Sequence, residues 1–255
     1  MPAPLDVDQL RASVSGTGWR RVDVVEETGS TNADLVARAA TEDIAGAVLL
    51  AEHQRAGRGR HGRSWSAPPR SQIAMSFGVD TAGVSPDAWG WLPLITGLAV
   101  VETVRELGVD AGLKWPNDVL VGDGKLAGIL AEVAGTVVVV GVGLNVSLTE
   151  DALPDPRAVS LTMLGVAVDR TVLTGRLLVA LDRLVQRWRR SDPALADDYR
   201  RVSMTIGSEV RAHLPGNSDI VGTATGIDAS GRLLIDTGET TATVSAGDIT
   251  HLRPA

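Results

Sequence analysis

Apolar positions along this 255-residue chain change their period several times, and each change marks an element. Over residues 171–190 the apolar side chains Leu173, Leu177, Leu178, Leu181, Leu184, Val185 and Trp188 recur every three or four positions, which predicts a helix with one face on a core. Residues 92–107 are apolar on almost every side and predict a buried helix. Residues 48–52, 72–79 and 136–146 are short apolar runs bounded by turn formers, the pattern of strands. Runs at 112–121 and 125–133, separated by Gly122-Asp123-Gly124, predict a hairpin with Lys114, Pro116 and Asp118 alternating onto one face of its first strand. Thr28-Gly29-Ser30-Thr31-Asn32 supplies N-cap chemistry for an alanine-rich helix reaching Ala40. From about Ser208 the texture becomes short alternating strands with glycine turns, which suggests a small β-barrel module.

Composition narrows the class. A chain that is 44% hydrophobic and 22% charged can bury a substantial core as one large domain, or one plus a small appendage. Its net charge of -7 argues against general nucleic-acid or membrane-surface binding. The chain has no cysteine, so it holds neither disulfides nor thiolate metal sites. Neither a leader pattern nor a run of about 20 apolar residues is present, so a cytoplasmic location is expected.

Against that acidic background, residues 57–65 read Gly-Arg-Gly-Arg-His-Gly-Arg-Ser-Trp. Gly57, Gly59 and Gly62 match G-x-G-x-x-G literally, but a dinucleotide fingerprint opens an apolar helix, and Ser64-Trp65-Ser66-Ala67-Pro68-Pro69 does not begin one. No Gly-Lys-Ser/Thr completes a P-loop either. Two readings stay open on the loop alone: a solvated basic turn, or a mobile loop whose guanidinium forks grip carboxylate or phosphate while its glycines let the backbone wrap the ligand. Lys125 is likewise either a strand-end lysine in water or a cation aimed into a pocket. Gly128 inside a strand signals close approach of a ligand or another backbone. Asn145 ends an apolar strand, where it is either a turn former or part of a site.

Five segments together resemble the biotin protein ligase family: TGSTN at 28–32, AEHQRAGRGRHGRSW at 51–65, KWPNDVLV at 114–121, KLAGILAE at 125–132 and GVGLNV at 141–146. The resemblance covers about residues 24–148, with agreement only in general layout beyond. It implies an α+β fold: a class II aminoacyl-tRNA-synthetase-like catalytic domain over 1–204 and an SH3-like barrel over 205–255. It implies that biotin's carboxylate attacks the α-phosphate of ATP, giving biotinyl-5'-AMP, and that a lysine of a biotin carboxyl carrier protein or domain then attacks the anhydride.

Residue by residue, the resemblance assigns Ser30, Thr31, Asn32 and Gln54 to the biotin head group, with Arg58, Gly59, Arg60, Lys125 and Gly128 completing that site. It places Arg58, Arg60 and Lys125 at the carboxylate and phosphate, with Arg63 assisting and Trp65 closing over the adenylate. Asn117 and Asn145 are candidates for nucleotide contacts, with the magnesium of ATP near Asn145, and Asp118 for orienting or deprotonating the acceptor amine. Bringing a carboxylate to a triphosphate sets like charges together, so positioned cations are the physical requirement. No space precedes Trp19 for the winged helix that makes some relatives repressors, so a monofunctional ligase without a DNA partner, monomer or homodimer, is expected. Some relatives carry a tryptophan after the GVGLN strand as an adenine shelf; Ala158-Val159-Ser160-Leu161 has none, and Trp65 is the substitute expected here. Two other readings are a lipoate or octanoate ligase or transferase and a non-catalytic anion-binding module. The Gly-Arg-Gly-Arg loop favours biotin over the first, and the absence of low complexity disfavours the second.

Overall fold

A computed structural model describes residues 2–214, 218–245 and 248–251, the last four by backbone alone. In chain order the elements are α1 (Val7–Ser13), β1 (Arg21–Thr28), α2 (Thr31–Arg38), β2 (Ala47–Gln54), β3 (Gly57–Arg58), β4 (Ser64–Trp65), β5 (Gln72–Asp80) and α3 (Trp91–Arg105). The hairpin region follows as β6 (Gly112–Lys114), β7 (Asp118–Val121), β8 (Gly124–Ala134) and β9 (Val137–Asn145), then α4 (Arg170–Arg189) and α5 (Ala194–Val202). The chain closes with β10 (Glu209–Leu214), β11 (Ser218–Ile227), β12 (Leu233–Asp236), β13 (Thr241–Val244) and β14 (Asp248–His251). This is the expected α+β class.

Seven strands form one sheet in the order β1-β2-β5-β9-β8-β7-β6, parallel only at β1–β2. Its two faces differ in side-chain size. On β9, Val138, Val140, Val142 and Leu144 join the leucines of α3 and α4 in the main core, while Val137 and Val139 pack beneath Leu35 of α2. Beyond α2 the same face of β9 continues as Gly141, Gly143 and Asn145, and the register sets Ser76 opposite Gly141, and Ala74 and Gly128 on either side of Gly143. Large residues therefore fill one face, and small ones leave a hollow on the other.

The helices form for the reasons the sequence gives. Asp169 caps α4, accepting from Thr171 N–H at 2.7 Å and Val172 N–H at 3.1 Å, and all seven apolar residues of its expected stripe are buried. Ser30 caps α2 by accepting from Ala33 N–H, as its position before the alanine-rich run implied.

Two expectations need correction. Residues 112–121 are not one strand: the chain turns at Trp115-Pro116-Asn117, and β6 and β7 pair antiparallel with Lys114 opposite Asp118. Lys114 and Asp118 therefore face the same side of the sheet as a cross-strand pair and not as residues of one strand, and Pro116, with no N–H for the ladder, lies in the turn between them. The hairpin turn itself, at Gly122-Asp123, closes β7 onto β8 as expected. The Arg-Gly segment, expected as a turn or loop without strands, carries a two-rung hairpin in which β3 and β4 pair, Gly57 with Trp65 and Arg58 with Ser64. Helix α1 had no counterpart in the sequence pattern.

The C-terminal strands form one antiparallel sheet, β13-β12-β11-β10-β14. Within the 205–255 segment expected to be an SH3-like barrel, residues 215–217, 246–247 and 252–255 lie outside the described residues. Its turn at Asp228–Arg232 is docked onto the start of α3 and the β6–β7 turn by two indoles. Trp91 donates to Asp228 O at 3.1 Å and Trp115 to Gly231 O at 3.0 Å. A side chain at Gly90 would meet Ser230 O at 2.2 Å, so the two backbones touch there.

Candidate active site

The hollow over the small-residue face is a cavity of about 930 Å³, near the upper end of ordinary ligand sites. Every residue that the resemblance assigned to the site lines it: Ser30, Thr31, Asn32, Gln54, Arg58, Gly59, Arg60, Arg63, Trp65, Asn117, Asp118, Lys125, Gly128 and Asn145.

One end is polar and nearly neutral. The N-terminus of α2 delivers Ser30, Thr31 and Asn32, all buried, beside Gln54 at the end of β2. Thr31 N–H donates to Gln54 Oε1 at 2.8 Å, Thr31 Oγ1 lies 2.7 Å from Ser76 Oγ, and Ser76 Oγ donates to Asn32 Oδ1 at 2.6 Å. Asn32 Nδ2 donates to Glu132 Oε2 at 2.8 Å, and the same oxygen receives Arg58 Nη2 at 2.8 Å. A continuous relay thus links the amide end to the Arg-Gly hairpin. Arg58 already spends one donor on Glu132, so an anion would be held by the rest of its fork.

The other end is cationic. Lys125 Nζ sits 2.7 Å from Asp118 Oδ1 and 5.5 Å from the centre of the Trp65 ring. Arg60 Nη1 donates to Asn117 Oδ1 at 3.1 Å, while Asn117 Nδ2 donates to Ile129 O at 3.2 Å, so the hairpin is tied to β8 through Asn117. Asn145 Nδ2 bridges Lys125 O and Val159 O, at 3.3 and 3.1 Å. The stretch 155–159 runs alongside Lys125, whose N–H donates to Arg157 O at 2.6 Å and whose carbonyl accepts from Val159 N–H at 3.0 Å. At the rim, the Arg157 guanidinium and then its backbone N–H hold the Asp155 carboxyl below its ordinary pKa. His213, from β10, also lines the cavity, so the C-terminal sheet contributes to its wall.

The floor is glycine by steric necessity. A Cβ on Gly141 would lie 2.2 Å from Asn32 Oδ1, and one on Gly143 2.3 Å from Trp65 Cε2. At Gly128 it would meet Trp65 Cζ3 at 3.0 Å and Lys125 Cε at 3.1 Å, so the close neighbours are two side chains where a ligand or another backbone was expected. The residues missed are Gln72, Ser76, Glu132, Gly141, Gly143 and Arg157. Two glycines two apart within a buried strand were the available signal for the floor; the polar residues matter through partners far away in sequence. No group of three or more His, Asp or Glu side chains able to hold a metal is found among the described residues.

Comparison with known proteins agrees with this geometry. Residues 25–148 match the biotin/lipoate A/B protein ligase family and residues 205–252 the biotin protein ligase C-terminal domain. The chain is 55% identical, over 98% of its length and 97% of the other's, to the biotin--[acetyl-CoA-carboxylase] ligase of Mycobacterium tuberculosis. It is 29% identical to the bifunctional ligase/repressor BirA of Escherichia coli, over 92% of this chain and 75% of that one. Among solved structures, the Aquifex aeolicus biotin protein ligase in complex with biotin and ATP superposes with a TM-score of 0.79 at 26% identity, covering 92% of this chain and all of that one. A cavity with an amide-and-hydroxyl end, a cationic end and a glycine floor, carried on a sequence this similar over its whole length, makes the chain a member of the biotin/lipoate A/B protein ligase family.

Proposed function

We propose that the protein activates biotin with ATP to biotinyl-5'-AMP and transfers the biotinyl group to a lysine of a biotin carboxyl carrier protein or domain. The observation that carries this reading is the polarity of the cavity over the glycine floor. Its Thr31, Asn32, Gln54 and Ser76 end offers hydroxyl and amide partners suited to a neutral ureido ring, and its Arg58, Arg60 and Lys125 end suits an acid meeting a phosphate. A dithiolane ring or bare alkyl chain would offer this polar end no hydrogen bonds of its own, which weighs against lipoate or octanoate.

In the first half-reaction a carboxylate oxygen attacks the α-phosphorus and pyrophosphate leaves. Lys125, held between Asp118 and the Trp65 face, and the guanidinium groups of Arg58 and Arg60 offset the negative charge on the acid and on phosphorus. Magnesium enters as part of the nucleotide substrate, and Asn145 Oδ1, whose amide nitrogen is committed to two carbonyls, is the group left to face it. Trp65 lies against the floor beside Lys125, where its ring can cover the adenylate and exclude water. In the second half-reaction the acceptor ammonium must lose a proton before it attacks the acyl carbon and expels AMP; Asp118 is the carboxylate at hand. No helix among the described residues is long and apolar enough to cross a membrane, and we place the reaction in the cytoplasm. The test is pyrophosphate exchange into ATP with biotin, lipoate or octanoate as the acid. Exchange with biotin alone is expected; exchange with lipoate and none with biotin would overturn the reading.

A further inference from the structure

Trp65 has a single polar atom, its indole Nε1, which donates to Gln72 Oε1 at 2.6 Å. Gln72 opens β5 and is 1% exposed. Its main chain is clamped on both sides: it pairs with Asn145 across the sheet, and its carbonyl accepts from Arg170 Nη1 at 3.2 Å. Arg170 is in turn fixed by a buried ion pair with Glu52 at 2.7 Å. An indole N–H only donates, so the carboxamide must turn its oxygen to Trp65. That orientation leaves Gln72 Nε2 buried and without a partner among the described residues. A leucine there would avoid that desolvation cost, so the glutamine is explained by what its oxygen holds. The hairpin's own ladder has two rungs, 57 with 65 and 58 with 64, and Arg60–Asn117, Arg58–Glu132 and the Lys125–Trp65 contact are among its side-chain ties, each of them partly exposed.

We infer that Gln72 is a positioning residue, a latch on the rigid sheet that holds Trp65, and with it the Arg-Gly hairpin, against the glycine floor. It touches no reacting atom and acts through the indole. Its strength sets how long the hairpin stays down over an activated acyl group. The turnover arm of the test rests on the ligase reading above; the proteolysis arm does not.

The experiment compares the full-length wild type with Gln72→Leu, Trp65→Phe and the double variant. Two quantities are read: the initial rate of tryptic cleavage after Arg58, Arg60 and Arg63, and the KM for biotin in pyrophosphate exchange. Gln72→Leu is expected to raise both by about tenfold, the worth of one lost hydrogen bond with an orphaned donor, with kcat little changed. Trp65→Phe removes the same bond, so in its background Gln72→Leu is expected to add less than about twofold. Unchanged cleavage in Gln72→Leu, or two effects that multiply, would overturn the latch. If Gln72→Leu fails to fold by circular dichroism, Gln72→Asn, whose oxygen stands one methylene further back, carries the same comparison. Latch-dependent cleavage in a wild type without biotin exchange would sink the ligase reading and leave the latch standing; exchange with cleavage indifferent to Gln72 does the reverse.

Discussion

Arg170→Met tests how the catalytic sheet is braced beneath its site. The guanidinium donates through Nη2 to Glu52 Oε2 and to Ala3 O, both at 2.7 Å, and through Nη1 to Gln72 O at 3.2 Å. Side-chain exposures are 4% for Arg170 and 2% for Glu52, so neither charge is screened by water. Glu52 Oε1 accepts from Leu5 N–H, and Asp6 N–H donates to Thr171, so the N-terminal segment is strapped over the pair. Removing one member leaves a carboxylate buried with a single backbone donor, a change that costs about 3–5 kcal/mol in comparable sites. For a chain of this size each kcal/mol shifts Tm by about 2–4 °C, so a drop of about 10 °C is expected. Replacing both partners, Glu52→Met with Arg170→Met, removes the uncompensated charge and should recover most of that loss. Guanidinium unfolding of the wild type, both single variants and the double gives the coupling directly, and about 2 kcal/mol or more is expected. A loss below about 1 kcal/mol in Arg170→Met, or a double variant no better than the worse single, would refute the reasoning.

Gly143→Ala should raise the KM for biotin about tenfold or more while moving stability by under about 1 kcal/mol, because the half-buried Trp65 ring, 2.3 Å from the new methyl, is what must yield. Lys125→Ala should lower pyrophosphate exchange by about two orders of magnitude, as loss of a preorganised cation does, and leave the circular dichroism spectrum unchanged. Asp118→Asn should keep exchange and slow transfer to the acceptor, a difference read by comparing exchange with single-turnover transfer from preformed adenylate. The Asp80 carboxyl is held below its ordinary pKa by the Ala82 N–H and then by Arg189. Its contribution to stability is therefore present above about pH 4 and fades as pH falls through the depressed folded value. Asp80→Asn should flatten the acid limb of the stability-against-pH curve, which an unfolding series from pH 2 to 6 will show.

Features that depend on neighbours in sequence were legible before the structure. The leucine stripe of α4, the Ser30 cap, the turn after β7 and the glycine at 128 each signal themselves within a few residues. Lys114 and Asp118 share a face across two strands and not along one, because the alternating pattern was carried through Pro116, where the chain turns. Ser76 and Glu132 read as polar interruptions of strands; their roles come from Asn32, 44 residues from one and 100 from the other. The Arg170–Glu52 brace spans 118 residues, and no local pattern links its ends. Docking of the C-terminal turn by Trp91 and Trp115 was equally hidden, because indoles in apolar runs look like core and nothing in the sequence reveals where their N–H groups point.

Those indoles belong to a larger pattern. The chain has six tryptophans, and every one donates its Nε1 proton, between them marking five junctions. Trp19 joins the region before β1 to α4 at Leu178 O, Trp188 ties α4 to Ala88 O, and Trp89 closes onto Val84 O. Trp91 and Trp115 hold the C-terminal turn, and Trp65 alone donates to a side chain, that of Gln72. A nitrogen-15 proton correlation spectrum of selectively labelled protein would therefore carry six indole signals, each reporting on a known contact. Titrating in ligand and following which of the six shifts, broadens or exchanges with solvent would map motion across the molecule without any added label.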